Sequence, residues 1–356
     1  MDGSSLSTVA EQRQAQVDGV LERFYSLSKS RAEAFGTQYV ELWEALEANT
    51  TGGKRFRPRM VFAAYQSLGG KDMEAAAYVG AAFELLHTAL IVHDDVIDHD
   101  FTRRGIPNIS GSYRDRALRA GAKPEIAEHN GISAAVIAGD LALFNAYRLL
   151  DRSGVAHMTR QRLLEVMDDA LFASAAGELI DVDFSIALEM PRVDDILTME
   201  RLKTAVYSFE CPLQAGAILA GASDEVVATL GDFGREIGIA YQIVDDLLGV
   251  FGAEAETGKT TIGDLREGKR TVLISYATST AEWPRIEPLI GKSDLTEEEA
   301  AEVRDVLISS GARSFAQGLA RYYANRALAR LAEPHIPPAL RIELHPVADA
   351  VLGRVK

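Results

Sequence analysis

Two clusters of aspartates are the residues of this chain best suited to chemistry. The first lies in HDDVID, at Asp94, Asp95 and Asp98, and the second lies in YQIVDDLLG, at Asp245 and Asp246. In a helix Asp94 and Asp98 share a face, where like charges repel each other. Bound cations would relieve that repulsion, and hard oxygen ligands without cysteine favour magnesium over zinc. Magnesium held by so few carboxylates shares its other coordination positions with water and phosphate.

Basic residues close to these clusters in sequence could bind phosphate. Guanidinium groups bind phosphate through paired hydrogen bonds, whereas the lysine ammonium acts as a compact point charge. The basic residues fall into three sets: Lys54 and Arg57 in GKRFRPRM, Arg103 and Arg104 in FTRRGIP, and the lysines Lys203, Lys259 and Lys269. Metal-binding carboxylates surrounded by cations suit two separate diphosphates, one bound through metal ions and the other bound directly.

The hydrophobic pattern places each aspartate cluster at the end of a long helix. Apolar residues recur every three or four positions from Val226 to Leu248, which predicts one amphipathic helix that ends in the second cluster. The segment from Met73 to Asp98 is apolar on nearly every face, so we expect it in the middle of the fold. Further helices are predicted over residues 11–29, 134–150, 160–187, 199–222, 267–279 and 315–332, with another opened by a Thr296/Glu299 capping box and closed by Gly311.

The pattern as a whole predicts an all-α fold. No alternating strand pattern is present, and no linker rich in proline, glycine or serine divides the chain. We therefore expect a single-domain helical bundle around a central apolar cavity over residues 11–356. Residues 1–10 are expected to form a disordered tail.

Composition excludes several classes of protein. The chain has 52 acidic and 37 basic residues and a net charge of −15, which disfavours binding to nucleic acid. Its single cysteine excludes a disulfide framework. The first residues lack the pattern of a secretory signal, and no uninterrupted apolar stretch reaches the length of a membrane span. We therefore expect a cytoplasmic protein without stable membrane insertion.

Seven motifs give the chain a resemblance to a known family, the trans-isoprenyl diphosphate synthases, also called polyprenyl synthetases. They occur in family order over roughly residues 50–275: GKRFRP, ELLHTALIVHDDVIDHDFTRRGIP, AGD, GELIDV, the Lys203–Thr204 pair, YQIVDDLLG, and TGK followed by DLREGKRTVLI. The resemblance implies a bundle of the isoprenoid synthase type and a magnesium-dependent trans-prenyltransferase. Such an enzyme condenses isopentenyl diphosphate with dimethylallyl, geranyl or farnesyl diphosphate. A homodimer with three magnesium ions in each active site is also implied.

The resemblance further implies a role for each site residue. Asp94, Asp95 and Asp98 would bind two magnesium ions on the allylic diphosphate, and Asp245, together with Asp246, would bind a third. Positive charge at that diphosphate would come from Arg103, Lys203 and Lys259. The pocket for isopentenyl diphosphate would contain Lys54, Arg57, His87 and Arg104, with Lys269 as a further substrate-binding cation. Thr204 and Gln242 would lie near the reacting carbons.

The second cluster departs from the family pattern. The family motif ends in a third aspartate, and this chain has Gly249 at that position, which leaves one carboxylate fewer. Glu178 also stands where the family often has glutamine. We expect catalysis to survive, because the first aspartate of the motif makes most of the metal contact.

In this family, the residues before the first aspartate set the product length. Ala89 and Leu90, five and four positions before Asp94, lack the bulk of the Phe or Tyr that floors the tunnel in short-chain enzymes. Leu86 and Phe83, one and two turns deeper, are the next candidate floors. We expect geranylgeranyl diphosphate, a C20 product, with products of C25 or more as the alternative.

Other functions fit the sequence less well. The His93–Asp94 pair also occurs in metal-dependent phosphohydrolases, but the only earlier histidine, His87, has poor spacing for that site. A noncatalytic partner subunit of a heteromeric prenyl synthase is a second alternative, although such subunits typically lose motifs that this chain keeps. A terpene cyclase handles one diphosphate and has no need of a second cationic pocket. His93 itself is expected to be a structural neighbour of the metal ligands.

Overall fold

The structure is a computed structural model that describes residues 3–53, 55–103, 105–252 and 262–354. Three expected site residues, Lys54, Arg104 and Lys259, lie outside the described residues. The chain divides into two compact units. Unit 1 contains Met1–Asp168 and Pro212–Ser223, and unit 2 contains Asp169–Cys211 and Asp224–Lys356. The expectation of a single domain stays a prediction.

Unit 1 is built mainly from the first half of the helices. They are α1 (Gly3–Ala32), α2 (Thr37–Thr50), α3 (Phe56–Ser67), α4 (Met73–Ile97), α5 (Ile109–Arg119), α6 (Pro124–Asp151) and the first part of α7 (His157–Ile186). A 3-10 turn, Glu33–Phe35, separates α1 from α2. Between α4 and α5 lies a two-residue antiparallel ladder that the sequence did not predict, with β1 (Thr102–Arg103) paired to β2 (Ile106–Pro107).

Unit 2 contains the remaining helices. They are α8 (Val193–Glu200), a π-helical segment (Arg201–Glu210), α10 (Asp224–Phe251), α11 (Gly263–Glu267), α12 (Val272–Ala277), α13 (Trp283–Ile286), α14 (Glu297–Ser309), α15 (Ala312–Leu331) and α16 (Pro338–Gly353). A 3-10 turn, Glu287–Leu289, follows α13. Helix α9 (Cys211–Leu219) belongs to unit 1 from Pro212 onward. The predicted all-α fold class is confirmed.

The start of the chain differs from the predicted disordered tail over residues 1–10. Helix α1 begins at Gly3, so residues 3–10 are helical where the sequence predicted disorder. The apolar positions Val17, Val20 and Leu21 are almost completely buried. Once these residues anchor α1 in unit 1, its polar first turns continue the same helix, since they contain no proline to stop it.

Helix α4 lies at the centre of unit 1, as its all-round apolar pattern predicted. It packs against α1, α3 and α6, and Phe83 and Leu86 have no exposed surface. By length and composition alone, α4 and α6 are the two described helices apolar enough to cross a membrane. Of their most apolar windows, 78% is buried inside the protein in α4 and 44% in α6. The burial of α4 is that of a core helix.

In unit 2, α10 packs closely on the π-helical segment. A Cβ at Gly238 would lie 2.8 Å from the Cα of Ala205, and one at Gly234 would lie 2.6 Å from the Cα of Glu210. The two backbones therefore approach each other where α10 carries no side chain. The sequence predicted one regular helix over residues 199–222, and the π-helical turns replace its first half. Such turns are common at functional sites.

Two local predictions in unit 2 had different outcomes. The capping box is confirmed: the Thr296 hydroxyl accepts from the amide of Glu299 at 3.3 Å, and the Glu299 carboxylate accepts from the amide of Thr296 at 2.9 Å. The helix predicted over residues 267–279 is broken instead. Gly268 adopts a left-handed conformation with φ of 69°, which ends α11 before α12 begins.

Candidate active site

The first aspartate cluster occupies the C-terminal turn of α4. Asp94 and Asp95 lie in the last helical turn, and Asp98 caps the helix, with its amide donating to the Asp94 carbonyl at 2.9 Å. Asp95 is only 3% exposed, whereas Asp98 is exposed. Three carboxylates at the negative end of a helix repel one another and the helix dipole. Cations are needed there to offset that repulsion.

Arg103 supplies one such cation in the structure. Its Nη2 and Nε donate to Oδ1 of Asp95 at 2.6 and 3.0 Å, and its Nη2 lies 3.5 Å from Oδ2 of Asp94. Burial raises the pKa of the Asp95 carboxyl, and the hydrogen bond and charge of Arg103 oppose that rise. Arg103 is thus held against the cluster, and its predicted role at the diphosphate stays a prediction.

The turn between α4 and α5 holds Arg103 in place. Asn108 caps α5 by accepting from the amide of Gly111 at 2.8 Å, while its side-chain amide donates to the carbonyl of Asp100 at 2.8 Å. Its backbone amide also donates to the carbonyl of Phe101 at 3.2 Å. These bonds tie both ends of the short β1–β2 ladder to the start of α5. The turn that carries Arg103 is therefore hydrogen-bonded to the start of α5.

His93 faces α6. Its Nε2 lies 3.4 Å from Oδ1 of Asp140, and a Cβ at Gly139 would lie 2.5 Å from its Cδ2. Gly139 makes room for the imidazole against α6, which agrees with the structural role expected for His93. His87 lies two turns earlier on α4 and is partly buried.

The basic segment before α3 is anchored by a buried ion network. Arg55 is in the left-handed region, with φ of 47°, and its guanidinium contacts Asp18 at 2.8 Å, Glu84 at 3.1 Å and the carbonyl of Thr50 at 2.8 Å. The Nη1 of Arg57 lies 4.0 Å from the other oxygen of Glu84. Glu84 thus joins both arginines to α4, and it orients the segment that carries Arg57.

The four candidate floor residues lie on α4 just before the first cluster. Phe83, Leu86 and Ala89 are fully buried, and Leu90 is partly buried. Burial places all four in or next to the core of unit 1. A role in setting product length stays a prediction.

The second cluster lies on the last turns of α10. The side-chain amide of Gln242 donates to Oδ1 of Asp246 at 3.0 Å. Burial raises the pKa of the Asp246 carboxyl to about 7, with the charges of Asp264 and Asp245 adding to the rise and Lys269 opposing it. Asp245 is about half exposed, and its Oδ1 lies 3.9 Å from Nη2 of Arg354 on the last described turn of the chain.

Glu200 adds a buried carboxyl that the sequence analysis did not identify. It ends α8 and is 3% exposed, and its carboxyl interacts with that of Asp246. Burial raises the pKa of Glu200 well above its usual value, and the charges of Asp246 and Asp181 raise it further. The position of Glu200 in the sequence does not indicate a buried carboxyl, because its contact with α10 forms only when the chain folds.

Lys203, on the π-helical segment, is held by two acidic residues of α7. Its Nζ donates to Oδ2 of Asp181 at 2.6 Å and lies 3.0 Å from Oε2 of Glu178. The GELIDV motif therefore positions the lysine of the Lys203–Thr204 pair. Thr204, the next residue, is partly buried.

Lys269 and Asp264 complete the group around the second cluster. The Nζ of Lys269 lies 3.0 Å from Oδ1 of Asp264 and 3.5 Å from Oε2 of Glu267. The pKa of the Lys269 ammonium is raised, because these acidic neighbours outweigh the effect of burial. Asp264 and Arg354 were not assigned from the sequence. Asp264 lies inside the recognised DLREGKR motif, where a role for its carboxylate could have been sought.

The residues at both clusters fit a hard divalent cation. All the donors are carboxylate oxygens, and Glu200 and Asp246 bring two carboxyls with raised pKa values together, so ionising both requires additional positive charge. Within the described ranges, no three acidic, histidine or cysteine side chains converge closely enough to hold an ion alone. Magnesium at these positions would therefore complete its coordination with water and diphosphate oxygens.

Comparisons with known proteins agree with this chemistry. The model of the polyprenyl synthetase family matches residues 40–307. The geranylfarnesyl diphosphate synthase of Aeropyrum pernix is 33% identical over 310 residues, which cover 86% of this chain and 91% of that protein. The geranylgeranyl diphosphate synthase of Sulfolobus acidocaldarius is 33% identical over 282 residues, covering 78% of this chain and 79% of that protein.

A solved structure shares the fold along nearly the whole chain. The geranylgeranyl pyrophosphate synthase of Corynebacterium glutamicum, complexed with isoprenyl diphosphate and magnesium, superposes with a TM-score of 0.88 and 29% identity. The match covers 99% of this chain and 100% of that one. Use of a divalent metal by the carboxylates of this chain agrees with that complex. Because the family model matches well over half of the chain, the chain belongs to the polyprenyl synthetase family and is an enzyme of that family.

Proposed function

We propose that this chain is a trans-prenyltransferase that condenses isopentenyl diphosphate with an allylic diphosphate and releases geranylgeranyl diphosphate. One observation carries the proposal: each aspartate cluster has a fixed cation beside it or beside its neighbours. Arg103 lies against Asp95 in unit 1, and Lys269 lies against Asp264 in unit 2. Carboxylates for metal and cations for phosphate are thus both present at each cluster, which is what diphosphate chemistry needs.

The residues of unit 1 would bind and orient the allylic diphosphate. Asp94, Asp95 and Asp98 would hold two magnesium ions, and Arg103 would turn part of its hydrogen bonding from Asp95 toward phosphate. Arg57, on the segment that Glu84 anchors, would bind isopentenyl diphosphate with His87. The resemblance assigns Lys54 and Arg104 to the binding of isopentenyl diphosphate as well.

The residues of unit 2 would contribute a third metal position and more positive charge. Asp245 and Asp246 would hold that ion, with Lys203, Lys259 and Lys269 as cations. Gln242 already donates to Asp246, so its carbonyl oxygen is oriented by that bond. The carbonyl of Gln242 and the hydroxyl of Thr204 would stabilise positive charge on the reacting carbons.

Magnesium, when bound, draws electron density onto the departing diphosphate and so favours cleavage of the allylic C–O bond. As the resemblance implies, Arg103 and Lys203 would each offset negative charge that the leaving group gains. The double bond of isopentenyl diphosphate attacks the allylic carbon, and loss of a proton completes the extension. The released diphosphate can accept that proton. The apolar residues of α4 exclude water, which would otherwise quench the cation.

The C20 product rests on the absence of a bulky side chain before Asp94. Ala89 and Leu90 are smaller than Phe or Tyr, and the fully buried Leu86 and Phe83 would form the floor below them. The similarity to a geranylfarnesyl diphosphate synthase keeps a C25 product as the second candidate.

Product length can be measured directly. Purified protein would be incubated with magnesium, isopentenyl diphosphate and each allylic primer, and the products identified by mass. We expect C20, and we expect Leu90→Phe to shorten it while Ile342→Phe, on the exposed surface of α16, leaves it unchanged. A wild-type product of C15 or less would contradict the proposal that Ala89 and Leu90 do not limit the product length. Phosphate release without elongation would indicate a hydrolase, and no turnover with any primer would indicate a partner subunit.

We also propose that the chain acts as a homodimer through the exposed apolar face of α6. Val136, Ile137 and Phe144 are 40%, 52% and 66% exposed, so the described residues do not cover this face of a long apolar helix. A second copy would bury it. A cytoplasmic location and the absence of nucleic-acid partners stay predictions.

Light scattering of the purified protein tests the dimer. Wild type should have twice the mass of the chain, and Ile137→Asp with Phe144→Asp should give monomers, whereas the matched Ile342→Asp should not. A monomeric wild type would refute the proposal. Sedimentation of the wild type with lipid vesicles would instead assign the α6 face to a membrane.

A further inference from the structure

Gly249 makes room for a carboxylate from another part of the chain. A Cβ at position 249 would lie 2.9 Å from Cγ of Asp264 and closer still to its Oδ2. Position 249 is four residues after Asp245 and three after Asp246, so on α10 it projects from the same side as the cluster. The carboxylate of Asp264 thus occupies the volume into which a side chain at position 249 would project.

We propose that Asp264 supplies the third carboxylate of the second cluster, through space, in place of the aspartate that the motif lacks at Gly249. This role for Asp264 rests on the proposed function. The motifs alone assign Asp264 no role. Gly249 is then a requirement of the arrangement, because a side chain there and the carboxylate of Asp264 cannot occupy the same place.

The contacts of Asp264 hold it in this position. Its Oδ1 lies 3.0 Å from the ammonium of Lys269, which leaves Oδ2 as the oxygen directed at Gly249. The backbone closes the same turn, since the amide of Lys269 donates to the carbonyl of Asp264 at 3.1 Å through the left-handed Gly268. The neighbouring Leu265 is buried and fixes α11 in unit 2. The carboxylate is therefore positioned by packing and by a charge pair.

A carboxylate from a separate element can serve the cluster as one on α10 would. Whether a carboxylate can bind a metal ion, or hydrogen-bond to a group that does, depends on where its oxygen lies. Removing a residue that supports a metal ligand in this way typically weakens metal binding by about 10-fold to 100-fold. The Oδ2 of Asp264 lies where the Cβ of a residue at position 249 would project, so an ion bound there would also need diphosphate oxygens as ligands. Lys269 lowers the repulsion among Asp264, Asp245 and Asp246 while the ion is absent.

Moving the carboxylate between the two positions tests the inference. Three full-length variants would be compared: Gly249→Asp, Asp264→Gly and the double exchange. Binding of Mn²⁺ in the presence of inorganic diphosphate would be followed by electron paramagnetic resonance, and thermal unfolding would be measured alongside. We expect each single variant to bind the Mn²⁺ ion at the second cluster about 10-fold more weakly than wild type does. The double exchange should bind within about threefold of wild type, because it restores one carboxylate in one place.

Further variants separate crowding from charge. Gly249→Ala should lower the unfolding temperature in the wild type but not in the Asp264→Gly background, where the space is vacant. Asp264→Asn keeps the shape and should weaken Mn²⁺ binding without crowding position 249, which also keeps the test valid should Gly249→Asp fail to fold. Wild-type Mn²⁺ affinity in Asp264→Asn, or a double exchange no better than the weaker single variant, would overturn the inference.

Failure of the inference can be told apart from failure of the proposed function. Wild-type protein assayed with magnesium, isopentenyl diphosphate and the allylic primers shows whether chains elongate at all. The exchange experiment reads metal binding and unfolding temperature, so it reports on Asp264 and Gly249 whatever the reaction is.

Discussion

Replacing Asp246 with asparagine should stabilise the metal-free protein at neutral and alkaline pH. Burial is the main reason why the pKa of the Asp246 carboxyl rises from 3.8 to about 7, and the nearby Asp264 and Asp245 add to it. Asparagine carries no charge to bury, and its side-chain oxygen can still accept the hydrogen bond from Gln242. The variant therefore keeps the contact and removes the unfavourable charge.

The direction and the size of the change in the free energy of unfolding follow from the pKa of Asp246 in the unfolded and in the folded protein. Between the unfolded pKa of 3.8 and the folded pKa of about 7, the folded protein binds more protons than the unfolded chain, so the free energy of unfolding falls as pH rises. At about 1.4 kcal/mol for each unit between the two values, the full penalty above pH 7 is about 4 kcal/mol. Asp246 keeps some exposed surface and lies beside the buried carboxyl of Glu200, which lowers the expected gain at pH 8.5 to about 2 kcal/mol.

Urea unfolding in EDTA at pH 5.5 and 8.5 measures the effect. About half of the interval between the two pKa values lies below pH 5.5, so wild type should lose on the order of 1 kcal/mol more than Asp246→Asn between the two pH values. The matched control is Asp305→Asn on α14, where the carboxylate is exposed and its removal should change both values by less than about 0.5 kcal/mol. Equal or lower stability of Asp246→Asn at pH 8.5 would show that the Asp246 charge is not destabilising and would refute the reasoning.

Three other substitutions give separate tests. Asp94→Ala should lower turnover by orders of magnitude with an unchanged circular dichroism spectrum, because it removes metal and leaving-group electrostatics; near-normal turnover would contradict the metal role. Arg103→Ala should lower the free energy of unfolding by about 1–3 kcal/mol, since Asp95 stays buried and loses both hydrogen bonds, and Arg103→Lys should restore part of it; an unchanged urea midpoint would refute this. Thr296→Ala should cost about 1 kcal/mol by removing the cap of α14, measured by calorimetry, and Thr296→Ser should retain the stability.

Local sequence rules were sufficient where the structure is set within one helix. The apolar pattern predicted α4 and α10, and the capping box predicted the start of α14, because each depends on residues within a few turns of one another. The pairing of Arg103 with Asp95 was not predicted, because the motif assigned Arg103 to the diphosphate. The same rules missed the π-helical segment, which coincides with the approach of α10 at Gly234 and Gly238.

The missed site residues depend on contacts between distant parts of the chain. Glu200 reaches Asp246 only because α8 packs on α10, and no periodicity or spacing encodes that distance. Asp264 was within reach of sequence reasoning. A motif that lacks one carboxylate, followed by a second motif with an unassigned aspartate, is a pattern in which the second residue can stand in for the first. Only the structure, in which Asp264 fills the space beside Gly249, identified these two residues as the pair.

Unfavourable burial in this protein also carries information about function. Four described carboxyls have pKa values raised by burial. Asp95, Glu200 and Asp246 belong to or lie beside the aspartate clusters, whereas Glu236 on α10 is paired with Arg326. A chain selected for stability alone would replace such groups with apolar residues of similar volume. Their concentration at the ends of α4 and α10 is explained if a divalent cation, bound with diphosphate, supplies the missing positive charge during the reaction. The stability that these carboxyls remove from the metal-free protein is then regained on binding, because an ion that binds only the folded state stabilises it.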